Sequence, residues 1–198
     1  MEEKRSLDKD PKVVSILDAA FQAFAMYGFR RTSMEDIAKG AGISRAAVYQ
    51  HFKNKDEIFR TLVTWYYHDA YKNVGEALIK NGSVTDILLA AFQAQSGPAF
   101  KVLLDSPHGE ELLDSKRTGA GDIVAEGEAR IAGLYADWLD RLSREGQVDL
   151  ARVSGSAGEI ADAMMSGLRG AKAHGPSFED YARGRDSLAR LFGQGLAV

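Results

Sequence analysis

The sequence predicts an all-α protein, with an N-terminal three-helix head joined by one long helix to a larger helical body. Three observations carry this. Apolar residues recur at helical spacing along most of the chain, short breaker clusters interrupt the recurrence, and no alternating run long enough for a strand occurs. No internal repeat is evident.

The first helix opens at Pro11, which a first turn tolerates, with Asp10 before it as cap. Val13, Ile16, Leu17, Ala20, Phe21 and Phe24 form one apolar face until Gly28 stops the run. A second start follows, where Thr32 with Glu35, or Ser33 with Asp36, has capping-box spacing. Ile37 and Ala38 supply its apolar face, and Gly40 with Gly42 ends it after about two turns. Ser44 caps a third short helix carrying Ala47, Val48 and Phe52. Asn54 with Glu57 opens a long fourth helix over 55–79. Breakers at "KNGS", "DSPHG", "RTGAG" and "HGPS" then leave helices near 84–104, 109–115, 121–145, 154–173 and 177–193. The stretch 114–122 is the best candidate for a mobile loop.

With 198 residues the chain can bury a real core, and 45% hydrophobic with 27% charged residues is ordinary for a soluble globular protein. The absence of cysteine excludes disulfides, thiolate metal sites and cysteine nucleophiles. The charged opening "MEEKRSLDKDPK" predicts no secretory signal, and no apolar run is expected to reach the roughly 20 residues of a membrane span. A cytoplasmic protein without membrane contact is the expectation. Net charge is −3, yet residues 1–55 hold ten Lys/Arg against seven Asp/Glu. A basic head on an acidic body fits a nucleic-acid-binding module fused to something else.

The demands of a helix-turn-helix are met at fixed offsets. Ala38 is small where the second helix of the pair must cross. Gly42 can take the positive φ of the turn, Ile43 plugs it, and Val48 is placed to bury against the first helix. An ordinary helical hairpin with the same small residues is the competing reading.

Residues 12–59 resemble the DNA-binding domain of the TetR family of transcriptional regulators, through "ILDAAFQAFAMYG" (16–28), "TSMEDIAKGAGISRAAVYQHF" (32–52) and "KNKDEIF" (53–59). The resemblance covers about a quarter of the chain. It implies a DNA-binding domain over 1–55 and an effector-binding, dimerising domain over 56–198. It also implies a homodimer on a near-palindromic operator in double-stranded DNA, most simply a repressor released by a small molecule, without a cofactor.

Sequence is read by side chains of the third helix in the major groove, while phosphate contacts only position it. Arg45 is the candidate for guanine, with a phosphate contact or a solvated side chain as its alternatives. Gln50 could pair with adenine, and Ala46 and Ala47 permit close approach. Tyr49 and His51 fall at phosphate-contact positions of the family, with Phe52 as a core plug. Lys55, at the start of the fourth helix, is a further phosphate contact. Thr32 and Ser33 are read as caps that also donate a hydroxyl to the DNA backbone, and Ser44 as the cap of the reading helix.

One module with a few anchors is too weak to find one site in a genome, and a two-fold dimer doubles the contacts. Ala161, Met165, Leu168, Leu188, Leu191 and Phe192 are the candidate dimer residues; packing within one chain is their alternative. Trp65, Tyr66, Phe92, Phe100, Tyr135, Trp138 and Met164 are the candidate effector-pocket residues, each equally readable as plain core. For an enzyme, the histidines 51, 68, 108 and 174 show no metal spacing, and no phosphate loop or nucleophile elbow is present. A helical adaptor that has lost DNA binding is the other alternative.

Overall fold

The structure is a computed structural model that describes residues 10–114, 119–172 and 177–198. His174 and part of the 114–122 stretch lie outside the described residues. Nine α-helices are described: α1 Pro11–Tyr27, α2 Met34–Gly40, α3 Arg45–His51, α4 Lys55–Leu78, α5 Val84–Leu104, α6 Gly109–Leu113, α7 Gly121–Arg144, α8 Ala157–Lys172 and α9 Phe178–Leu196. A 3-10 turn at Leu150–Val153, which the periodicity did not signal, precedes α8. The chain packs as two compact units. One comprises Met1–Trp65 with Asp105–Val124, the other Tyr66–Leu104 with Ala125–Val198. Helix α4 therefore contributes residues to both.

In the first unit the caps set the short helices. Asp10 accepts from the Lys12 N–H at 2.9 Å. Of the two possible capping boxes before α2, Ser33 with Asp36 forms, its N–H donating to the Asp36 carboxylate at 2.9 Å. Those bonds from Ser33 hold the Asp36 carboxyl below its ordinary range. Helix α2 ends in a Schellman-type turn, with Gly42 N–H donating to Lys39 O and Ile43 N–H to Ala38 O, at 3.2 and 3.1 Å. Gly42 has φ 68°, the left-handed value its position demands. Asn54 accepts from Glu57 N–H at 2.8 Å while Glu57 reaches back to Lys53 N–H at 2.7 Å. Ile16, Leu17, Phe24, Ile37, Ala38, Val48, Phe52 and Ile58 are buried together with a triad of rings, Phe24, Phe29 and Phe59, whose centroids are 5.2–5.8 Å apart.

Residues 105–124 join this unit through polar contacts no local pattern announces. The Glu111 carboxylate accepts from Arg30 N–H at 3.3 Å. Arg60 forms a two-pronged ion pair with Asp122, at 2.8 and 2.6 Å, which holds that carboxyl down to about 2.

The core of the second unit gathers Val74, Leu88, Ala91, Phe92, Ile131, Tyr135, Leu139, Ala161, Met164 and Leu168. Helix α9 packs along α5 and against α8. Helix α5 corrects two expectations. By length and composition it is long and apolar enough to cross a membrane, although its Leu88, Ala91 and Phe92 are packed in this core. It is also broken at Gly97, φ 65°, followed by Pro98. Proline donates no N–H and the break interrupts the ladder, so carbonyls lose their helical partners. The Tyr66 hydroxyl donates to one of these, Gln95 O, at 3.0 Å.

Candidate nucleic-acid interface

Helix α3 shows one residue, Val48, to the core. Its N-cap Ser44 accepts from Ala47 N–H at 3.1 Å. Arg45, Ala46, Tyr49 and Gln50 are exposed, and Ala47 and His51 half-buried. Arg45 Nη2 donates to the Tyr49 hydroxyl oxygen at 3.3 Å, and its guanidinium stands 5.5 Å from the centre of that ring. The two side chains one turn apart thus form one unit on the outer face. His51 Nδ1 lies 3.8 Å from Asp10 Oδ2, so when protonated it pairs with the start of α1.

Two sequence expectations need correction. Thr32 is 2% exposed, and its hydroxyl donates inward to Gly28 O at 2.8 Å and Ala23 O at 3.2 Å. It ties the α1–α2 turn together and offers nothing to a phosphate; Ser33 alone is the exposed cap. Lys55 donates to Phe29 O, Arg30 O and Thr32 O at 2.8, 3.0 and 2.9 Å, 4.9 Å from the centre of the Phe29 ring. An ammonium has three N–H bonds, and all three are used. A cation at a helix N-terminus opposes the dipole by about 0.3–1 kcal/mol, and the three carbonyls offset this. The signal missed was that a turn with unpaired carbonyls lies next to the start of α4.

The remaining candidates divide by burial. Phe92, Tyr135 and Met164 are fully buried, with Phe100 and Trp138 nearly so, and Tyr66 half-buried in the same unit. Phe92 packs edge-on to Tyr135 at 5.6 Å, and Phe100 stacks on Tyr66 at 6.4 Å. Trp65 is assigned to the first unit and the other six to the second. Of the candidate dimer residues, Ala161, Met165 and Leu168 are sealed inside the second unit, because their small or flexible side chains fill its core rather than its surface. Leu191 is 69% exposed, and Leu188 and Phe192 are half-buried. Leu188 and Leu191 line a groove of about 520 Å³ with Gly167, Gly170 and Ala171 of α8 and Gly184 and Ser187 of α9. Among the described residues no group of three or more His, Asp or Glu side chains could hold a metal.

Residues 16–62 match the family model described as bacterial regulatory proteins, tetR family. Over 61 residues the chain is 41% identical to the HTH-type transcriptional regulator AcrR of Shigella flexneri, covering 31% of this chain and 26% of that protein. The chain thus matches about a quarter of the length of such curated relatives. Among solved structures, a transcriptional regulator from Cytophaga hutchinsonii superposes with a TM-score of 0.76 at 18% identity, over 96% of this chain and 100% of that one. A complex of SmeT with triclosan superposes with a TM-score of 0.70 at 21% identity, over 96% and 93%. SmeT is the repressor of the Stenotrophomonas maltophilia multidrug efflux pump SmeDEF. Those two likenesses establish the fold, and the match over 16–62 establishes the head. Residues 16–62 are thus a helix-turn-helix head of the tetR family of bacterial regulatory proteins, in a chain that shares the fold of these solved regulators.

Proposed function

We propose that the protein is a ligand-responsive transcriptional regulator, a repressor that binds a near-palindromic operator as a homodimer and releases it when a small molecule binds. Residues 1–55 are the DNA-binding domain in this reading, and 56–198 bind the effector and dimerise. The observation that carries it is the outer face of α3, where Arg45, Tyr49 and Gln50 stand exposed behind a capped turn with Gly42 at positive φ. Arg45 reads a base edge, and Gln50 a second. Tyr49 and His51 bond phosphate, together with Ser33 and Ser44. Ala46 and Ala47 let the helix approach the groove. A DNA partner places the protein in the cytoplasm.

Repressor action is supported by SmeT, a repressor of the same fold whose structure has been solved with triclosan. Ligand must bind the DNA-incompetent state better than the competent one, and α4, shared by both units, is the natural lever. The second copy sits on the α8–α9 groove, where glycines allow close approach and Leu191 is the exposed anchor.

The test is titration of the protein onto DNA from upstream of its own gene. One fragment is expected to bind well above random duplex at moderate salt, and Arg45→Ala to relax preference at one base pair by roughly tenfold. Equal binding to all fragments contradicts the regulator reading. For the dimer, Leu191→Asp is expected to raise the dimer dissociation constant in sedimentation by roughly tenfold or more. An unchanged constant would remove Leu191 from the interface.

A further inference from the structure

The interior of the second unit holds hydrogen-bond donors that lack a strong acceptor. Trp138 is 3% exposed, and its Nε1–H has no partner. Gln95, almost as buried, accepts from the Tyr135 hydroxyl at 3.0 Å through Oε1. Its Nε2 meets only the Met165 sulfur, at 3.6 Å, a weak acceptor. Trp138 follows Tyr135 by three residues on the buried face of α7, so both neutral donors belong to one region.

Lys172 ends the same strip. It follows Met165 by seven residues on α8, about 10 Å along the helix. Its ammonium stands 5.0 Å from the centre of the Phe100 ring, without a hydrogen-bond or ion-pair partner among the described residues. Burial pushes its pKa down, opposed by the charge of Glu128. That carboxylate is already bonded to Arg169 at 2.8 Å. The hydroxyls nearby, Tyr66 bonded to Gln95 O and Ser96 to Tyr181 at 3.0 and 2.8 Å, are neutral and cannot balance the ammonium.

Unpaired buried donors cost free energy, and an ammonium half-buried against a ring is better placed beside a counter-ion. A water molecule could serve Trp138 but would not neutralise Lys172. We propose that this interior takes an organic carboxylate, its anionic group on Lys172 and its apolar body against Phe100 and the rings beside Gln95 and Trp138. The break at Gly97 interrupts the ladder between the two parts of α5, so it is there that the interior would open to admit the ligand. The assignment rests on the effector-sensing reading above and deepens it to a ligand class.

Calorimetric titration of the full chain with 2-naphthoate and decanoate, against the neutral 2-naphthamide and decanamide, tests it. The carboxylates are expected to bind at least about tenfold tighter than their amides. Lys172→Gln is expected to abolish that preference while amide binding stays, and Trp138→Phe to weaken both members of a pair alike. Equal affinity for acid and amide, a preference that survives Lys172→Gln, or no binding of any probe at millimolar concentration overturns the proposal. Operator binding measured on the same samples separates the two readings. A carboxylate that binds and leaves the operator held defeats release but not the ligand class; release by the amides alone defeats the class but not release.

Discussion

Gly193→Ala is expected to lower the thermal midpoint by roughly 2–8 °C, among the larger single effects in the chain. A Cβ at position 193 would lie 2.6 Å from the Thr85 Cα, a backbone atom that moves only if α5 and α9 part. The helix propensity gained by alanine is about 1 kcal/mol, and overpacking of this kind costs about 1–3 kcal/mol, so the clash wins. Gly133→Ala is the matched control. It lies within α7, and a Cβ there meets nothing within 4 Å, so a small rise in the midpoint is expected. Differential scanning calorimetry of both variants checks the pair. A Gly193→Ala midpoint at or above the parent would show that α9 does not lie against α5 as closely as described.

Lys55→Met is expected to destabilise the first unit by about 2–3 kcal/mol, because it strips a charged donor from three carbonyls at once. Phe29 O, Arg30 O and Thr32 O all lie in the turn that sets α2 beside α1. The measurement is amide hydrogen exchange, with faster exchange expected across residues 28–34. Salt dependence of DNA binding separates this role from a phosphate contact. A lost phosphate contact lowers the slope of log K against log salt by about one. A lost tie in the turn weakens binding and leaves the slope of the folded fraction unchanged. A lower slope with normal exchange would return Lys55 to the DNA.

Much of the head was legible in sequence because its determinants are local. The Ser33–Asp36 box, the Gly42 turn and the Ser44 cap are each written within four residues, and the 3.6-residue period shows which side of α1 is buried. Thr32 and Lys55 were misplaced because position within a motif does not say where a side chain points. The acceptors of Lys55 are 23 to 26 residues away. The Gly97–Pro98 break had a signal, the dipeptide itself, but apolar periodicity runs across it and masked it. Small residues on α8 announce close packing without saying which face packs inward. Ala161 and Leu168 therefore fall in the core while Gly167 and Gly170 line the groove. The unmet donors at Trp138 and Lys172 are a property of three dimensions only.

The contact between Arg45 and Tyr49 has a consequence for how binding strength and sequence choice relate. An arginine free in water surrenders much rotamer freedom when it meets a base, whereas one leaning on a ring has already surrendered part of it. The Tyr49 oxygen accepts from Arg45, which leaves its own O–H free to donate outward. Under the proposed reading, the side chain that grips the backbone also steadies the one that discriminates. Affinity and fidelity are then not separate dials, and selection for a looser grip at Tyr49 would blur the target as well.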